Sequence, residues 1–428
     1  MTTSSQTDVI IIGAGVSGLS AAKELTKHGL SFVVVEASHR IGGRACSEEI
    51  APGVWFDLGC AYLVTNKDPA LIHPFVTVAK ALGIEIGEDK VEIYNNLQYF
   101  HNGKKLGDAE EAALSQYLKD NHAAIVESVN RGEDRAIVEL IDLDNPYVEL
   151  YNNNVSGSST GDVDQMSAAD YFNANSDQEI AVLNGYGNLV REWGADVPVS
   201  LNTKVETVDW SEDHVRVDTA KGTLRGRCVL TTVSTGVLAA RHIRFKPELP
   251  GWKVDAINGL PTGTENKIGV HFDKDIFGPD GRGSYYSWRK RDVGAEIEAS
   301  VMGLNVAIVF TAGRHAVWLE EQGQRAGHDF AVNRIADVFG NDIRKSVTHS
   351  IVSAWTRDPC TLGAYSHALP GQSHQREELA RSIDDKVFFA GEATLKTLWG
   401  NAHGAHESGI CAAQEISNTL QRSNSRIS

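Results

Sequence analysis

Two histidines near the end of the chain, His403 and His406, are spaced as H-x-x-H, and a helix would place both on one side. Paired imidazoles can bind zinc, but a zinc site needs at least a third ligand in good geometry. The sequence offers no third ligand at a suitable spacing, and the five scattered cysteines form no zinc pattern. We therefore predict no metal site. A nucleophile's pocket, or a place where a large flat ligand contacts the backbone, remains open for this stretch.

A lysine in the middle of the chain, Lys267, lies in an alternating segment at 266–272 that is typical of a strand. The apolar residues at alternate positions would share one face: Ile268, Val270 and Phe272. Lys267 would share the opposite face with Gly269, whose missing side chain leaves room for a bulky neighbour. Composition alone favours a solvated strand lysine, so a role in moving protons needs support from the rest of the chain.

A glycine motif of the form GxGxxG directly follows the first apolar run of the chain, at 8–12. That run is continuously apolar and β-branched, as expected of a strand buried on both faces. A helical pattern at 19–25 and a second strand at 31–36 follow it. The motif therefore stands inside a complete strand–turn–helix–strand unit, which indicates dinucleotide binding.

The glycines of this motif have distinct physical roles. Gly13 permits the tight turn, Gly15 lets the backbone approach a pyrophosphate, and Gly18 lets the helix pack close to the strand. The N-terminus of the helix faces the phosphate charge. Glu36, at the end of the second strand, is placed to accept hydrogen bonds from ribose hydroxyls.

A loop rich in glycine and arginine comes next. Its predicted ligand-binding residues are Arg40, Gly42, Gly43 and Arg44. Arginine offers a planar fork of donors for phosphate oxygens, and the glycines let the chain lie close to a dinucleotide. Composition alone favours FAD over NAD only slightly.

This region, E-x-x-x-R-x-GGR-x-x-S, resembles the FAD signature of the flavin amine oxidase family, which includes monoamine oxidases, polyamine oxidases and flavin histone demethylases. Further segments in the same order are similar to motifs of that family: 57–59, 184–190, 203–217, 228–233 and 387–392. Because these segments span nearly the whole chain, the resemblance implies FAD as the cofactor and the fold of that family.

The resemblance also implies which residues bind FAD. Val205 lies in the hairpin that would cover the adenine, and Gly391 and Glu392 would lie beside the ribityl-phosphate region. Three residues would approach the pyrimidine edge of the flavin: His403, Gly404 and Ala405. Ala364 occupies the place where monoamine oxidases carry the cysteine tethered to flavin, so the FAD should be non-covalent.

Four residues are expected around the reacting atoms. Lys267 matches the family lysine that reaches flavin N5 through a water, which implies that it positions water and assists reoxidation. Tyr365 matches one of the two aromatic residues that frame the substrate amine. Asn401 falls where many amine oxidases place the second one, so Trp399 could complete the cage. We predict Lys267 and Tyr365 as catalytic, and Trp399 and Asn401 as substrate contacts.

The reaction implied by the resemblance is hydride transfer from the carbon beside an amine nitrogen to flavin N5, imine hydrolysis, and reoxidation by O2 that yields H2O2. A flavin desaturase or dehydrogenase with another electron acceptor, an L-amino-acid oxidase, and a non-catalytic FAD-binding protein remain as alternatives. We rank small or secondary amines ahead of polyamines. Amino acids come last, because no arginine can be assigned as a carboxylate clamp.

The predicted fold class is α/β, with a Rossmann-like (glutathione-reductase-type) FAD-binding domain and an interleaved α+β substrate domain. The predicted FAD-binding domain comprises 1–73, 180–255 and 358–428, and the substrate domain comprises 74–179 and 256–357. Within the substrate domain, helical patterns occur at 108–125 and 328–340. A polar stretch at 152–161, rich in Asn, Ser and Gly, predicts a loop.

Composition narrows the class of partners. A net charge of −16 and a pI near 5.4 argue against nucleic acid as a partner. No apolar run approaches the roughly 20 residues of a membrane span, and the N-terminus lacks a signal-peptide pattern. With the scattered cysteines, these features predict a cytoplasmic protein that acts on a small-molecule amine without a membrane partner. The oligomeric state stays open, a homodimer included.

Overall fold

The structure, a computed structural model, describes residues 7–65, 73–87, 97–174, 178–289 and 292–425. Within these residues the strands are β1 (Thr7–Ile12), β2 (Phe32–Val35), β3 (Ser47–Ala51), β4 (Val54–Asp57), β5 (Tyr62–Thr65), β6 (Ile86–Gly87), β7 (Leu97–His101), β8 (Lys104–Lys105), β9 (Gln178–Val182), β10 (Val199–Ser200), β11 (Val205–Asp209), β12 (Val215–Thr219), β13 (Gly222–Thr231), β14 (Arg244–Lys246), β15 (Glu265–Phe272), β16 (Gly283–Arg289), β17 (Asp292–Ala299), β18 (Val306–Ala312), β19 (Val347–Val352) and β20 (Val387–Phe389).

The α-helices of the same residues are α1 (Val16–Lys27), α2 (Pro74–Leu82), α3 (Asp108–Asn130), α4 (Val148–Ser159), α5 (Ala168–Asn173), α6 (Tyr186–Trp193), α7 (Thr235–Ala239), α8 (Gly251–Gly259), α9 (Gly313–Gln322), α10 (Gln324–Phe339), α11 (Gln375–Ala380) and α12 (Ala402–Ser425). Short 3₁₀ helices occur at Ile137–Glu139, Val301–Gly303, Asn341–Lys345 and Glu392–Thr394.

The first sheet is built around β1, which pairs in parallel with β2 on one side and β13 on the other. β10 extends the parallel part beyond β2, and β20 pairs in parallel with β13. The antiparallel pair β11–β12 and the strand β14 complete the sheet. Because β1 lies between two strands and two layers, its residues Val9, Ile10 and Ile11 are fully buried. The strand–turn–helix–strand unit and the hairpin predicted from the sequence are confirmed.

The second sheet has the order β19-β15-β18-β17-β16-β7-β8 and is mainly antiparallel. Ile268, Val270 and Phe272 of β15 are fully buried in a core that also contains residues of α10, such as Ile335. The other face of β15 packs differently, since a Cβ added at Gly269 would lie 2.7 Å from the ring of Phe56. Both the strand and its predicted alternation are confirmed.

The predicted loop at 152–161 is wrong, because most of this stretch belongs to helix α4. Its apolar residues Leu150, Tyr151 and Val155 recur at helical spacing and are buried. The polar residues between them are also used, as Asn154 donates to the hydroxyl of Tyr286 at 3.0 Å. Tertiary contacts therefore override the low helix propensity of Asn, Ser and Gly. The helical patterns at 108–125 and 328–340 are confirmed by α3 and α10.

The long C-terminal helix α12 packs against α1. A Cβ added at Gly409 would lie 2.2 Å from the carbonyl oxygen of Ser17, so only glycine allows this approach. Ala412 and Ile416 continue the buried face of the helix, as the sequence predicts. None of the described helices is long and apolar enough to cross a membrane.

Candidate active site

A cavity of about 550 Å³ begins at the turn between β1 and α1 and continues to one face of the second sheet. It is lined by most of the residues that the sequence nominates: Gly13, Gly15, Glu36, Arg40, Gly42, Gly43, Arg44, Val205, Lys267, Tyr365, Gly391, Glu392, Trp399, Asn401 and Ala405. Three of the predicted site residues do not belong to the described lining of this cavity: Gly18, His403 and Gly404.

The glycine-rich turn has the geometry of a dinucleotide cradle. Gly13 has a φ of +105°, and a Cβ there would lie 2.6 Å from Oγ1 of Thr232. A Cβ at Gly18 would lie 2.0 Å from the carbonyl oxygen of Gly13, so Gly18 serves helix packing. At Gly15, by contrast, the nearest atom would be Cα of Gly43 at 3.9 Å. Because α1 begins at the next residue, its free N–H groups and this open space suit a pyrophosphate.

Glu36 is buried at the same end of the cavity. Its carboxylate accepts the backbone N–H groups of Ala14 and Ser38, both at 2.8 Å. These two bonds hold the side chain beside the glycine-rich turn. Each carboxylate oxygen can accept more than one hydrogen bond, so the predicted contact with ribose hydroxyls fits this geometry.

Arg44 and Glu392 join the N-terminal and C-terminal segments of the cavity. The guanidinium of Arg44 donates to Glu392 at 2.9 Å and to the carbonyl oxygen of Ala364 at 2.8 Å. Glu392 also accepts from Ser366, through Oγ at 2.7 Å, and from the N–H of Gly400 at 3.0 Å. Both side chains, predicted as ligands of the cofactor, thus also bind protein groups, a connection that their separate motifs did not reveal.

The charge of this carboxylate is set by its neighbours. Burial opposes ionisation of Glu392, but Arg44, Arg376 and the hydroxyl of Ser366 outweigh it. The pKa of Glu392 therefore lies below its ordinary value. A buried carboxylate held ionised between two arginines can fix the segments that carry them.

Lys267 points into the cavity rather than into solvent. Its Nζ donates to the carbonyl oxygen of Gly59 at 2.6 Å. The same atom lies 5.8 Å from the ring centroid of Tyr62 and 5.5 Å from that of Phe310. One main-chain acceptor and two aromatic rings therefore hold the amine in place.

Tyr365 lies beside the segment that carries Trp399 and Asn401. A Cβ at Gly400 would be 2.8 Å from the ring of Tyr365, so this glycine lets the two segments touch. Burial, followed by the carboxylate of Glu265, raises the pKa of Tyr365 well above its ordinary value. The phenol is therefore neutral and presents a ring and a hydroxyl.

The two predicted substrate contacts differ in exposure. Trp399 is only 3% exposed, and its indole N–H donates to the carbonyl oxygen of Asp170 at 3.3 Å. Asn401 is half-buried and donates to the carbonyl oxygen of Trp399 at 3.1 Å. Both line the cavity, but Asn401 has more of its surface free for a ligand.

A group of carboxylates that line the cavity was not predicted from the sequence: Glu179, Glu265, Glu296 and Glu298. One of them stands in a cross-strand row. Lys267 pairs with Phe310, Phe310 with Glu296, Glu296 with Tyr286, and Tyr286 with Tyr99. All five side chains line the cavity. With strands about 4.8 Å apart, Glu296 stands roughly 10 Å along the row from Lys267. The alternating E-I-E of β17 was the available signal.

His403 packs in a cluster of rings behind the cavity. Its ring centroid is 4.7 Å from that of His73, while the ring of His406 contacts Phe75 at 5.6 Å. His406 also shares a hydrogen bond of 2.8 Å with the hydroxyl of Ser20. Within the described residues no three His, Cys, Asp or Glu side chains are grouped to hold a metal ion. The ring of His403 thus packs against protein groups, and its predicted contact with the flavin stays a prediction.

Protonation of this cluster should destabilise the fold. Burial, then the neighbouring histidines, lowers the pKa of His73 to about 3, and burial chiefly lowers that of His406 to about 4. Because unfolded histidine titrates near 6.5, the unfolded chain binds more protons below that pH. The contribution of these neutral histidines to the free energy of unfolding is fully present above about pH 6.5. It should fall by about 1.4 kcal/mol per pH unit for each such histidine as the pH drops toward 4.

Thermal or urea unfolding across pH 4.5–8 measures this slope in His73→Asn and in the unchanged protein. Asparagine retains an acceptor for the N–H of Phe75 at the start of α2 but does not titrate. We expect a smaller slope in His73→Asn, which corresponds to about one proton fewer taken up on unfolding. The control is His39→Asn at an exposed position, which should leave the slope unchanged. Equal slopes in all three proteins would contradict the prediction.

A glycine-rich turn open at Gly15, a buried acidic residue at the end of β2 and a cavity that continues to a lysine on a second sheet define an α/β protein with one long ligand cavity. A sequence model of the flavin containing amine oxidoreductases matches residues 16–417. The chain therefore belongs to this family, and it is a flavoprotein and an oxidoreductase that acts on the C–N groups of amines.

Individual relatives agree with this assignment. The chain is 27% identical to polyamine oxidase 2 of Arabidopsis thaliana, over 95% of this chain and 87% of the relative. It is similar in fold to cyclohexylamine oxidase from Brevibacterium oxydans IH-35A, with a TM-score of 0.79, 21% identity and coverage of 97% and 100% of the two chains. A redesigned putrescine oxidase gives a TM-score of 0.77 at 17% identity, over 96% and 99%. The two structures support the fold.

Proposed function

We propose that the chain is an FAD-dependent amine oxidase whose FAD is bound without a covalent tether. One observation carries the proposal: Lys267 and Tyr365 line the same cavity as the open turn at Gly15. The first sheet, with β1, α1 and β2, would form the Rossmann-like (glutathione-reductase-type) FAD-binding domain. The second sheet and helices α3 to α5 would form the substrate domain, which supports the predicted division at 74–179 and 256–357.

FAD, when bound, would accept a hydride from the carbon beside the amine nitrogen and pass the electrons to O2, giving H2O2. Gly15 and the N-terminus of α1 would hold the pyrophosphate, and Glu36 the ribose. Val205, Gly391 and Ala405 line the remaining length of the cavity. Their small side chains leave room for a flat ligand.

The residues at the substrate end would align the amine. Tyr365 presents a neutral ring that can orient the amine lone pair. Lys267, held by Gly59, can position a water for hydrolysis of the imine. The aromatic residues around it, Tyr62 and Phe310, limit access of bulk water to the lysine. This arrangement needs no separate general base, since the free amine supplies its own lone pair.

The test is anaerobic titration of the purified protein with an amine library, followed by its visible flavin spectrum. We expect bleaching by at least one amine, and release of H2O2 when air is admitted. Acid precipitation should release all the flavin colour into solution, because Ala364 offers no thiol for a tether. No bleaching by any amine would contradict the proposal. Bleaching without H2O2 would favour the dehydrogenase alternative.

The carboxylates favour a substrate that carries a second cationic nitrogen. Glu296 accepts hydrogen bonds from the hydroxyl groups of Ser284 and Tyr286, both at 3.0 Å, and lines the cavity. With one amine near Lys267, a second ammonium group could reach this carboxylate. We therefore propose diamines or polyamines ahead of small monoamines, which reverses the order favoured by the sequence. Polyamine oxidases among the relatives support this order.

A neutral isostere at Glu296 tests the preference. Glu296→Gln keeps the size of the side chain but removes its charge, so a charge-assisted bond is lost. We expect kcat/KM for 1,4-diaminobutane to fall at least tenfold, while that for butylamine changes less than threefold. Glu248→Gln, at an exposed position, is the matched control. An equal loss for both amines would show that Glu296 does not bind the second nitrogen of the substrate.

A cytoplasmic location is also proposed. All five cysteines are free thiols in the structure, and burial raises the pKa of each of them. Unreactive, unpaired thiols are usual in a reducing compartment. Labelling the unfolded protein with a thiol reagent, with and without prior reduction, measures the number of free thiols.

A further inference from the structure

Arg376 is fully buried and does not line the cavity, yet it makes an extensive set of contacts beside it. Its guanidinium donates to both oxygens of Asp170, at 2.6 and 2.7 Å. It also donates to Oγ of Ser366 at 3.0 Å and to the carbonyl oxygen of Ala393 at 3.2 Å. One face of the group lies 4.6 Å from the ring centroid of Trp399.

The contacts of Arg376 continue to the cavity wall through a chain of hydrogen bonds. Ser366 Oγ accepts from Arg376 and donates to Glu392 at 2.7 Å. Glu392 in turn accepts from the N–H of Gly400 and from Arg44. An unbroken polar path therefore runs from α5 to the arginine-rich loop after β2.

This path holds the two segments that carry the predicted substrate contacts. Tyr365 directly precedes Ser366, and Trp399 directly precedes Gly400. The Cα of Gly400 packs against the ring of Tyr365, so a shift of either segment moves the other. Arg376 thus helps to fix the segments of both Tyr365 and Trp399 without lining the cavity itself.

Stability alone does not account for such a group. Removing two charges from water costs several kcal/mol each, and buried ion pairs can often be replaced by apolar residues without loss of stability. A buried network of satisfied hydrogen bonds does, however, specify one arrangement of the segments it joins. A misplacement of about 1 Å in a reacting group can cost on the order of 100-fold in rate.

We propose that Arg376 is a positioning residue for amine oxidation: through Ser366 and Glu392, and by stacking on Trp399, it fixes Tyr365 and Gly400 at the substrate end of the cavity. The proposal rests on the proposed function. It assigns Arg376 no contact with the amine or with FAD.

The test is the double variant Asp170→Asn/Arg376→Met, which removes both charges together so that neither is left buried alone. We expect it to fold and to bind FAD within threefold of the normal affinity. At saturating amine, the first-order rate of anaerobic flavin bleaching should fall at least tenfold, while the Kd for the amine changes less than threefold. This separation of rate from binding would not follow from a purely structural role.

The matched control is Arg334→Met, which alters another buried arginine that does not line the cavity. It should lower the melting temperature but leave the bleaching rate within twofold. If the double variant does not fold, Ser366→Ala breaks the same path without removing a charge, and the rate should fall at least threefold.

Two failures can be told apart. If amines bleach the unchanged protein and the folded variants react equally fast, the positioning role is refuted while the proposed function stands. If no amine bleaches the unchanged protein, the proposed function is refuted, and the positioning role with it.

Discussion

Replacing Gly15 with leucine should abolish FAD binding, with an affinity at least 100-fold weaker than that of the unchanged protein. The backbone at Gly15 has φ −72° and ψ −179°, which any residue can adopt, so the substitution introduces no backbone strain. The first atom that a Cβ would meet is Cα of Gly43, 3.9 Å away. A leucine side chain would therefore fill the cradle itself, in the space that the pyrophosphate needs.

The measurement is flavin absorbance per mole of purified protein, with a binding titration against added FAD. The matched control is Gly251→Leu, since Gly251 also starts a helix, lacks a positive φ and has no atom within 4 Å of an added Cβ. That variant should retain its flavin. Circular dichroism should show both variants folded. A yellow Gly15→Leu protein with normal affinity would place the cofactor elsewhere.

Gly13 and Gly18 show what local sequence can predict. Gly13 with a φ of +105° and Gly18 against its carbonyl oxygen are required by the turn and the helix packing alone. These interactions involve neighbours in the chain, so the spacing of the motif was sufficient to predict them. The strands β1 and β2 follow from their continuous apolar runs for the same reason.

Helix α4 shows where composition misled. Asn, Ser and Gly favour loops because their side chains compete for backbone hydrogen bonds or leave the backbone too free. In the fold, Val155 is fully buried, and Asn152 accepts the N–H of Val163 at 3.0 Å. Such contacts join segments that are not adjacent in sequence, so they were not available to a reading of the local pattern.

The carboxylate row illustrates the same limit at the site. The alternation of β15 correctly placed Lys267 opposite the apolar face, because alternation is a property of one strand. The position of Glu296 in the same row, two strands from Lys267, depends on β18 lying between β15 and β17 in a particular register. Register is fixed by long-range packing, so the sequence alone could not show which residues lie next to Glu296.

The link between Arg44 and Glu392 was hidden for a similar reason. Each was assigned to FAD from its own motif, and the two motifs lie at opposite ends of the chain. Their ion pair of 2.9 Å adds a structural role to the predicted one. Likewise, Asp57 accepts the N–H groups of Tyr186 and Gly187 at the start of α6, which joins two segments that the resemblance treated separately.

Replacing Lys267 with methionine should slow reoxidation of the flavin by O2 at least tenfold while FAD stays bound. Methionine matches the length of the lysine stem but lacks the amine that lies near the rings of Tyr62 and Phe310. It removes the ammonium donor that the carbonyl oxygen of Gly59 holds at 2.6 Å. The positive charge that would assist electron transfer to oxygen, and the donor that would hold a water, are then lost, because no other group of this row is cationic.

Stopped-flow mixing of the amine-reduced protein with O2 measures this step separately from reduction. Lys105→Met is the matched control, since Lys105 is an exposed lysine on β8 at the far edge of the same sheet. It should react with O2 at the normal rate. A normal oxygen rate in Lys267→Met would remove this lysine from the oxidative step. A slowed reductive step in the same variant would then assign the lysine to substrate alignment, because the substitution removes the amine that lies near the ring of Tyr62.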